Sequence, residues 1–487
     1  MPKTRCVQPP LEFIEPRYRP WVIRVVHGLL PIFLQVRLRP WLPAGISRIE
    51  VENVDLLVDL YAKQEAGKAR FLMAVRHVEI DDPLSGLYLC SRAVARAAAK
   101  KGIRLKRPVH THFMYERGMT IWAGRFIGWL LSRIGGVPIR RGRRPDWMGL
   151  KVARKLMLEG NMPMVVAPEG ATNGHSERLG PLEPGVAQLG FWCAEDLQRE
   201  NRTESVYILP IGIQYRYEQA NWQKLADLLS TLERRSGLSA SENSAMKQTD
   251  GIEQSRACQQ RIYRLGVYLI EKMEGFYQRC YQTTFEPVKK QSVVGDIEAQ
   301  STLDTTKDVL EADSDRLQQL LDRALKVAEQ FFHLSSKGSL VDRCRRIEEA
   351  SWQLIYRDDL PPLAQLSPLD RGLADWAAQE ASLRELHMRI VESFVAADAF
   401  YVAEKPSFER CAETTLLMSD MLARLSGDKL PARPRLGQRW VKMTVQPPVS
   451  VTERLADYQQ NRRSGRRAVA ALTEELRQAL EKTIESS

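Results

Sequence analysis

The spacing of apolar and polar residues divides this chain of 487 residues into regions with different predicted structures. From about residue 50 to 216, short apolar runs typical of strands alternate with stretches in which apolar residues recur at the spacing of a helix. From residue 313 to about 428 the spacing is helical throughout. The first region therefore predicts an α/β domain, and the second predicts a large helical region.

The first region contains a series of predicted elements. Strands are predicted at 47–57, 69–77, 109–115, 136–141, 162–170 and 206–215. Helices are predicted at 84–102, 119–134, 146–159, 184–199 and, beyond the last strand, 257–279. The polar segments 236–256 and 287–312 are predicted to be exposed loops or linkers.

One later segment departs from the helical pattern. Residues 439–451 alternate with a period of two, and Val441, Met443 and Val445 share one side. A lone strand among helices would leave its backbone donors and acceptors unpaired. We therefore expect this strand to return to the first sheet, with the last helix of the chain covering that sheet. The helical region is then an insertion.

The predicted fold class is α/β, with a mixed sheet flanked by helices and a large all-helical insertion. The predicted organisation is an N-terminal segment at 1–49, the α/β domain at 50–285, the helical insertion at 286–436, and a strand and C-terminal helix at 437–487 that complete the α/β domain. More than one domain is expected, because single cores rarely grow beyond about 300 residues.

The segment 21–37 is strongly apolar, but Arg24 and Arg37 interrupt it. A helix that spans a bilayer needs about 20 predominantly apolar residues. An interfacial helix, with Trp21 and Trp41 near the lipid headgroups, fits the segment better. The alternative is a buried helix of a soluble domain.

Charge and cysteine content indicate the kind of partner and the cellular compartment. A formal net charge of +11 favours an anionic partner, whether nucleic acid, a phospholipid surface or a phosphorylated substrate. The seven cysteines are scattered and odd in number, which favours a reducing cytosol. Together with the N-terminal helix, these features predict a peripheral or monotopic protein on the cytoplasmic side of a membrane.

His77 follows a predicted strand, at the point where open α/β sheets place ligands. A neutral imidazole can accept a proton, and a carboxylate on its other ring nitrogen would fix the tautomer. Asp82 is spaced to turn back onto His77, whereas Asp81 is better placed to cap the helix that begins at Pro83. The alternative is a surface histidine near a helix cap.

Further strand ends carry residues suited to the same crevice. They lie in "GGVPIRRG" (135–142), "VVAPEGATNG" (165–174) and "LPIGI" (209–213). Strand ends at one edge of a sheet can supply a base, an anion clamp and backbone donors to one site. The alternatives are a solvated basic face or a lipid-headgroup patch for Arg140, Arg143 and Arg144, and a helix or turn cap for Glu169.

In this order and spacing, the residues resemble those of the glycerophospholipid acyltransferases, the H-x-x-x-x-D family that includes lysophosphatidate and glycerol-3-phosphate acyltransferases. The residues that match the first to the fourth motif of that family are His77 with Asp82, then Arg141, then Glu169 with Gly170, and then Pro210. The resemblance covers about 50–216, and the late strand with the final helix resembles the end of the family's domain.

The resemblance implies phospholipid biosynthesis by acyl transfer from a thioester, acyl-CoA or acyl carrier protein, to the hydroxyl of a lysophospholipid or glycerol phosphate. His77 would be the general base, oriented by Asp82, and Arg141 would bind the acceptor's phosphate. The other implied substrate-binding residues are Glu169, Gly170, Thr172 and Pro210. No metal is implied, and no cofactor beyond the thioester co-substrate.

The sequence departs from the family in its third motif. Where the family continues Thr-Arg-Ser, this chain has Ala171, Thr172 and Asn173. The arginine of that motif, a phosphate contact in the family, is therefore missing. Relatives that acylate lysophospholipids with a larger headgroup also tend toward E-G-x-T-N-G, so the departure weakens an assignment to lysophosphatidate.

Two other interpretations of the sequence compete with this one. His110 and His112 alternate along a predicted strand, so a metal site is conceivable, but the lack of nearby cysteines or clustered acids favours a structural role. A non-catalytic membrane- or RNA-binding protein on the same scaffold would use the helical insertion as its partner surface. The His77 and Asp82 pair together with Glu169 argues against that rival, and nucleic acid is not the expected partner.

Overall fold

The computed structural model describes residues 6–37, 45–140, 146–239, 251–285, 303–394, 400–427 and 432–485. These residues form two compact units. The first, which we call the α/β unit, comprises Leu11–Gln219 and Gly437–Ser487, and the second, the helical unit, comprises Met1–Pro10 and Ala220–Leu436. The helical unit thus includes residues 220–285, which the sequence analysis placed in the α/β domain.

The α/β unit is built on an eight-stranded mixed sheet. Its strands are β1 (Ile46–Glu52), β2 (Ala69–Val75), β3 (His112–Glu116), β4 (Gly136–Ile139), β5 (Met164–Val166), β6 (Ser205–Tyr217), β7 (Arg439–Val445) and β8 (Val449–Ser450). The order across the sheet is β1-β7-β6-β2-β5-β3-β4, with β8 beside β6. Strands β6, β2, β5, β3 and β4 are parallel, so their carboxyl ends share one edge. The predicted fold class is confirmed.

Strand β7 returns to the first sheet, as its alternation predicted. It pairs in parallel with β1 and antiparallel with β6. Val441, Met443 and Val445 are fully buried on one side of this strand. The insertion therefore separates β6 from β7 in the chain, although the two strands are neighbours in the sheet.

The other regular elements of both units are mainly helices. Before the insertion, the α/β unit contains α1 (Pro20–Gln35), α2 (Val54–Glu65), α3 (Asp82–Tyr88), α4 (Ala95–Lys100), α5 (Met119–Ala123), α6 (Arg125–Arg133), α7 (Trp147–Glu159) and α8 (Gly185–Arg199). The helical unit contains α9 (Trp222–Ser236), α10 (Gly251–Tyr281), α11 (Leu303–Phe331), α12 (Leu340–Ile355), α13 (Pro368–Phe394), α14 (Phe400–Glu404) and α15 (Phe408–Leu425). The α/β unit ends with α16 (Leu455–Gln459) and α17 (Arg462–Glu481).

The strand predicted at 47–57 is too long. Strand β1 ends at Glu52, and α2 begins at Val54 after a residue with a left-handed backbone, Asn53. The buried residues Leu57, Val58 and Tyr61 follow helical spacing. The short apolar run at 54–57 fits either kind of element, and packing against the sheet selects the helix.

The helix predicted at 119–134 is divided in two. Gly124 separates α5 from α6 and has a φ of +94°, a backbone conformation that favours glycine. Two predicted loops are also partly helical, because α10 already begins at Gly251 and α11 at Leu303. Residues 240–250 and 287–302 of those predicted loops lie outside the described residues.

The last helix covers one face of the sheet, as predicted. The buried residues of α17 are Gly465, Val469, Leu472, Leu476 and Leu480. Val469, Leu472 and Leu476 join a core that includes Val206 and Ile208 of β6. Each such side chain contributes about 1.5–3 kcal/mol when fully buried, so the C-terminal segment is an integral part of the α/β unit.

Helix α1 is apolar on two sides. Its buried residues are Val22, Ile23, Val26, Leu30 and Leu34. A second row, which we call the α1 stripe, is exposed and consists of Trp21, Val25, Leu29, Ile32 and Val36. Over the described part of the chain, no helix is both long and apolar enough to cross a bilayer. Trp41, predicted to lie near lipid headgroups, is outside the described residues.

Candidate active site

The carboxyl end of β2 brings His77 to the edge of the sheet. Strand β2 lies between β6 and β5 and is buried along most of its length. The chain leaves the strand after Val75, and α3 begins at Asp82 with Pro83 in its first turn. Proline is tolerated there because backbone N–H groups in the first turn have no acceptor within the helix, so the N–H that proline lacks would make no helical hydrogen bond. The connection of residues 76–81 therefore turns tightly enough for Asp82 to reach back to His77.

His77 and Asp82 are in direct contact. Nδ1 of His77 lies 2.8 Å from Oδ2 of Asp82, and the same oxygen accepts the backbone N–H groups of Val78 and Glu79 at 2.7 and 3.0 Å. A carboxylate on Nδ1 assigns the proton to that nitrogen. Among the described residues, Nε2 of His77 has no hydrogen-bond partner, and the side chain is 29% exposed. The imidazole is thus held at one nitrogen and open at the other.

The second oxygen of Asp82 is bonded to a distant tyrosine. The hydroxyl of Tyr215, on β6, donates to Oδ1 of Asp82 at 2.6 Å. Burial, followed by the nearby carboxylates of Asp81 and Asp82, raises the pKa of Tyr215 well above its ordinary value. The hydroxyl therefore keeps its proton and remains a donor to Asp82.

Asp81 does not cap α3, contrary to the prediction. It occupies the N-cap position, but its side chain makes no capping hydrogen bond. Its Oδ2 instead accepts a hydrogen bond from Nη2 of Arg439 at 2.7 Å, and Nη1 of that arginine lies 3.6 Å from Oε1 of Glu79. The buried guanidinium offers this carboxylate an ion pair as well as a hydrogen bond, and the carboxylate turns toward it rather than toward the N–H groups of the helix.

Glu169 supports the backbone at His77. Its Oε2 accepts the backbone N–H of His77 at 2.8 Å, and its Oε1 accepts the backbone N–H of Gly180 and the side-chain amide of Asn173, both at 2.7 Å. Burial raises the pKa of Glu169, although Arg76 and the donors on His77 and Gly180 act in the opposite direction. The predicted contact of Glu169 with substrate remains a prediction.

The loop after β5 packs onto the connection after β2. The backbone N–H of Asn173 donates to the carbonyl of His77 at 3.3 Å, and that of Gly174 donates to the carbonyl of Val78 at 3.1 Å. The side chain of Asn173 also donates to the carbonyl of Arg178 at 2.8 Å. At the position where the family resemblance would place serine, this chain therefore has an amide that ties the loop together.

Arg76 holds the other end of that loop. Its guanidinium is buried and donates to the carbonyl oxygens of Ser176, at 2.5 Å, and of His175, at 2.8 Å. A further hydrogen bond goes to the carbonyl of Arg178. Arg76, the residue before His77, thus fixes the backbone that follows Asn173.

Of the remaining predicted site residues, the structure describes Gly170, Thr172 and Pro210 but not Arg141. Gly170 has a φ of +72° in the turn after β5, and its N–H donates to the carbonyl of Ala167 at 3.2 Å. Thr172 is exposed in the same loop. Pro210 is buried within β6, opposite Ala74 of β2. Arg141 lies outside the described residues, so the structure brings together His77, Asp82 and Glu169 and leaves the other predicted contacts as predictions.

Charged groups also occupy the ends of β3 and β4, at the same edge of the sheet. Arg117 forms an ion pair with Asp146. The same carboxylate accepts the backbone N–H of Arg140 at 2.8 Å and that of Gly149 at 3.2 Å, so it also caps α7. Arg143 and Arg144 lie outside the described residues.

His110 and His112 do not alternate along one strand, because β3 begins at His112. Nε2 of His110 lies 2.8 Å from the carbonyl oxygen of Ile134, and Nδ1 of His112 lies 3.1 Å from that of Gly135. Burial lowers the pKa of both rings, that of His110 to about 3. Within the described ranges, no three His, Cys, Asp or Glu side chains come together in a way that could hold a metal ion.

Tyr215 and Arg439 were not identified from the sequence. Both are ordinary residues of a predicted strand, and neither belongs to a motif that the resemblance marks. The alternation at 439–451 was the one available signal, because it placed that segment in the same sheet as His77. It did not show that Arg439 would face the acids at positions 79 and 81.

Comparison with known proteins finds a matching family for part of the chain. Residues 96–214 match the model of a family described as Acyltransferase. The matched segment contains Glu169, Gly170 and Pro210 and begins after His77 and Asp82. No curated protein and no solved structure matches the chain. The family match supports an acyltransferase, and acyl transfer as the general reaction.

Proposed function

We propose that this chain transfers a fatty acyl group from a thioester donor, acyl-CoA or acyl carrier protein, to the hydroxyl of a lysophospholipid or glycerol phosphate. The observation that carries the proposal is the 2.8 Å contact between Nδ1 of His77 and Asp82, with the side chain of His77 29% exposed at the carboxyl edge of the sheet. The family match of residues 96–214 supports acyl transfer rather than another use of a histidine base.

In the proposed reaction, Nε2 of His77 accepts the proton of the acceptor hydroxyl as its oxygen attacks the thioester carbonyl carbon. The carbon–sulfur bond of the resulting tetrahedral intermediate then breaks, and the imidazolium returns the proton to the leaving sulfur. Asp82 stabilises the imidazolium between these steps. General-base assistance of this kind contributes about 10² to 10⁴ in rate, and no acyl group needs to be attached to the protein.

The acceptor's phosphate requires cations at the same edge of the sheet. Arg141 is the residue we propose for this contact, since a guanidinium binds phosphate through two parallel hydrogen bonds. Its neighbour Arg140 directly follows β4, and the backbone of Arg140 is held by Asp146. Because β2 and β4 are parallel members of one sheet, Arg140 lies at the same edge as His77.

The third-motif loop favours an acceptor with a larger headgroup. The side chain of Asn173 is fully engaged with Glu169, Arg178 and the N–H of His175. The loop therefore offers neither the arginine of the family's motif nor a free amide at this position, and Thr172 is its exposed side chain. We propose that the preferred acceptor is a lysophospholipid with a headgroup larger than the bare phosphate of lysophosphatidate.

We further propose that the α1 stripe lies in the interface of a membrane on its cytoplasmic side. Trp21 is 60% exposed and Ile32 50% exposed, although both are large and apolar. Exposed apolar residues on one side of a helix insert among lipid headgroups and acyl chains. The net charge of +11 adds attraction to an anionic leaflet.

The proposal is tested by mass spectrometry of the products. The chain is incubated with acyl-CoA or acyl carrier protein and with lysophosphatidylglycerol, lysophosphatidylethanolamine, lysophosphatidate or glycerol 3-phosphate. We expect an acylated product with one donor class, and diacyl phosphatidylethanolamine, which has no free hydroxyl, serves as the control acceptor. Absence of product and of thiol release from every pair, with vesicle binding intact, would favour a non-catalytic membrane protein.

A further inference from the structure

The two oxygens of Asp82 have different partners. Oδ2 accepts Nδ1–H of His77 and two backbone N–H groups, whereas Oδ1 accepts the hydroxyl of Tyr215 at 2.6 Å. Rotation of this carboxylate about its bond to Cβ would move both oxygens away from their donors. The bond from Tyr215 adds to the three bonds on Oδ2 that oppose this rotation.

Arg439 supports Tyr215 and the residues before Asp82 at the same time. Its guanidinium carbon lies 4.6 Å from the centre of the Tyr215 ring, and its nitrogens contact Asp81 at 2.7 Å and Glu79 at 3.6 Å. The backbone N–H of Arg439 donates to the carbonyl of Gly45 at 3.0 Å, which ties the residue to the start of β1. One buried cation therefore connects the tyrosine with the acids that precede Asp82.

We propose that Tyr215 and Arg439 are positioning residues that hold Asp82, and through it His77, in the orientation needed for proton transfer. The inference rests on the proposed function. Neither residue touches the open nitrogen of His77, so neither is expected to contact substrate. Their loss should therefore lower kcat and leave the KM of donor and acceptor unchanged, because substrate binding does not depend on the orientation of the imidazole.

The two proposed positioning residues come from distant parts of the chain. Tyr215 lies two residues before the end of β6, and Arg439 is the first residue of β7. These strands flank the inserted helical unit in the chain. The base is consequently held by residues from both sides of the insertion, and the C-terminal part of the α/β unit is needed for the site as well as for the fold.

The first test compares two tyrosines of the same strand. Tyr215→Phe removes the hydroxyl that binds Asp82, while Tyr207→Phe removes a hydroxyl near the other end of β6. We expect Tyr215→Phe to lower kcat about tenfold, with the KM of both substrates within about twofold of wild type. Tyr207→Phe should match wild type. A wild-type kcat for Tyr215→Phe, or a change confined to KM, would overturn the role of Tyr215.

The second test concerns Arg439. Arg439→Lys keeps the positive charge but lacks the planar group that spans Tyr215 and Asp81. We expect a folded variant, verified by circular dichroism, with a kcat at least about fivefold below wild type and unchanged KM. Arg439→Met should be worse, since it removes the cation that contacts the buried carboxylate of Asp81. A wild-type kcat in folded Arg439→Lys would overturn the role of Arg439.

A third measurement separates this inference from the proposed function. The proton on Nδ1 of His77 should give a downfield NMR signal that disappears in His77→Ala. We expect the signal to broaden through exchange with water in Tyr215→Phe and to be unchanged in Tyr207→Phe. If no substrate pair supports turnover in the wild-type chain, the proposed function fails, yet this signal still tests the inference. An unchanged signal in Tyr215→Phe would contradict it.

Discussion

The carboxylate of Glu169 accepts a hydrogen bond from the backbone N–H of His77, with 2.8 Å between the nitrogen and Oε2. This bond joins the end of β5 to the end of β2, two neighbouring strands of the sheet. The other carboxylate oxygen of Glu169, Oε1, accepts hydrogen bonds from Gly180 and Asn173. Glu169 therefore fixes the backbone of His77, and the sequence does not reveal this contact because the two residues are 92 positions apart.

Replacing Glu169 by glutamine should damage both stability and turnover. The amide group of glutamine would face an N–H donor at one of these positions, which leaves a buried donor without an acceptor. We expect the free energy of unfolding to fall by about 1–3 kcal/mol, with a lower kcat. Glu159→Gln, on the exposed end of α7, is the matched control and should leave both unchanged. Wild-type stability and kcat for Glu169→Gln would show that the hydrogen bonds of Glu169 are dispensable.

The α1 stripe should determine binding to anionic vesicles. A double variant, Trp21→Glu with Leu29→Glu, introduces charges among exposed apolar residues, and we expect at least about a tenfold loss of sedimentation with phosphatidylglycerol vesicles. The matched control is Leu369→Glu with Trp376→Glu, which changes an exposed leucine and tryptophan of α13 in the helical unit. Equal binding by the two double variants would contradict a role for α1 as the membrane contact.

His110 should make the stability of the chain depend on pH. Burial lowers its pKa in the folded state from 6.5 to about 3. The unfolded chain therefore binds a proton below pH 6.5 that the folded chain does not, so stability is fully present above that pH and is lost as the pH falls toward 3. At pH 5 the loss from this one group is about 2 kcal/mol.

The measurement is the difference in urea-unfolding midpoint between the wild-type chain and His110→Asn, taken at pH 8 and pH 5. Asparagine does not titrate in this range and keeps a donor for the carbonyl of Ile134. We expect the variant to lose less stability than wild type on acidification. An identical pH dependence in both chains would show that His110 does not remain neutral in the folded state.

Local contacts of the site could be predicted from the sequence, and distant ones could not. His77 and Asp82 are five positions apart, so a turn at the end of a strand is enough to bring them together. Tyr215 is 133 positions from Asp82, and Arg439 is 358 positions from Asp81. Those contacts depend on strand order, which periodicity alone does not give.

The errors of the sequence analysis have the same physical origin. The capping role predicted for Asp81 follows a local rule, and the buried guanidinium of Arg439 overrides it. The strand predicted through Leu57 continued an apolar run that tertiary packing turns into α2. The return of β7 to the sheet was predictable because an isolated strand cannot satisfy its own backbone hydrogen bonds.

The central claim is that His77 removes the proton of the acceptor hydroxyl. Its most direct test is the rate of acceptor-dependent thiol release from acyl-CoA, or from acyl carrier protein if that is the active donor, by the His77→Ala variant. The control is His333→Asn, which changes an exposed histidine of the helical unit. We predict that His77→Ala loses about 10² to 10⁴ in rate with its fold intact, while His333→Asn keeps the wild-type rate. Near-wild-type thiol release by a folded His77→Ala variant would contradict the account.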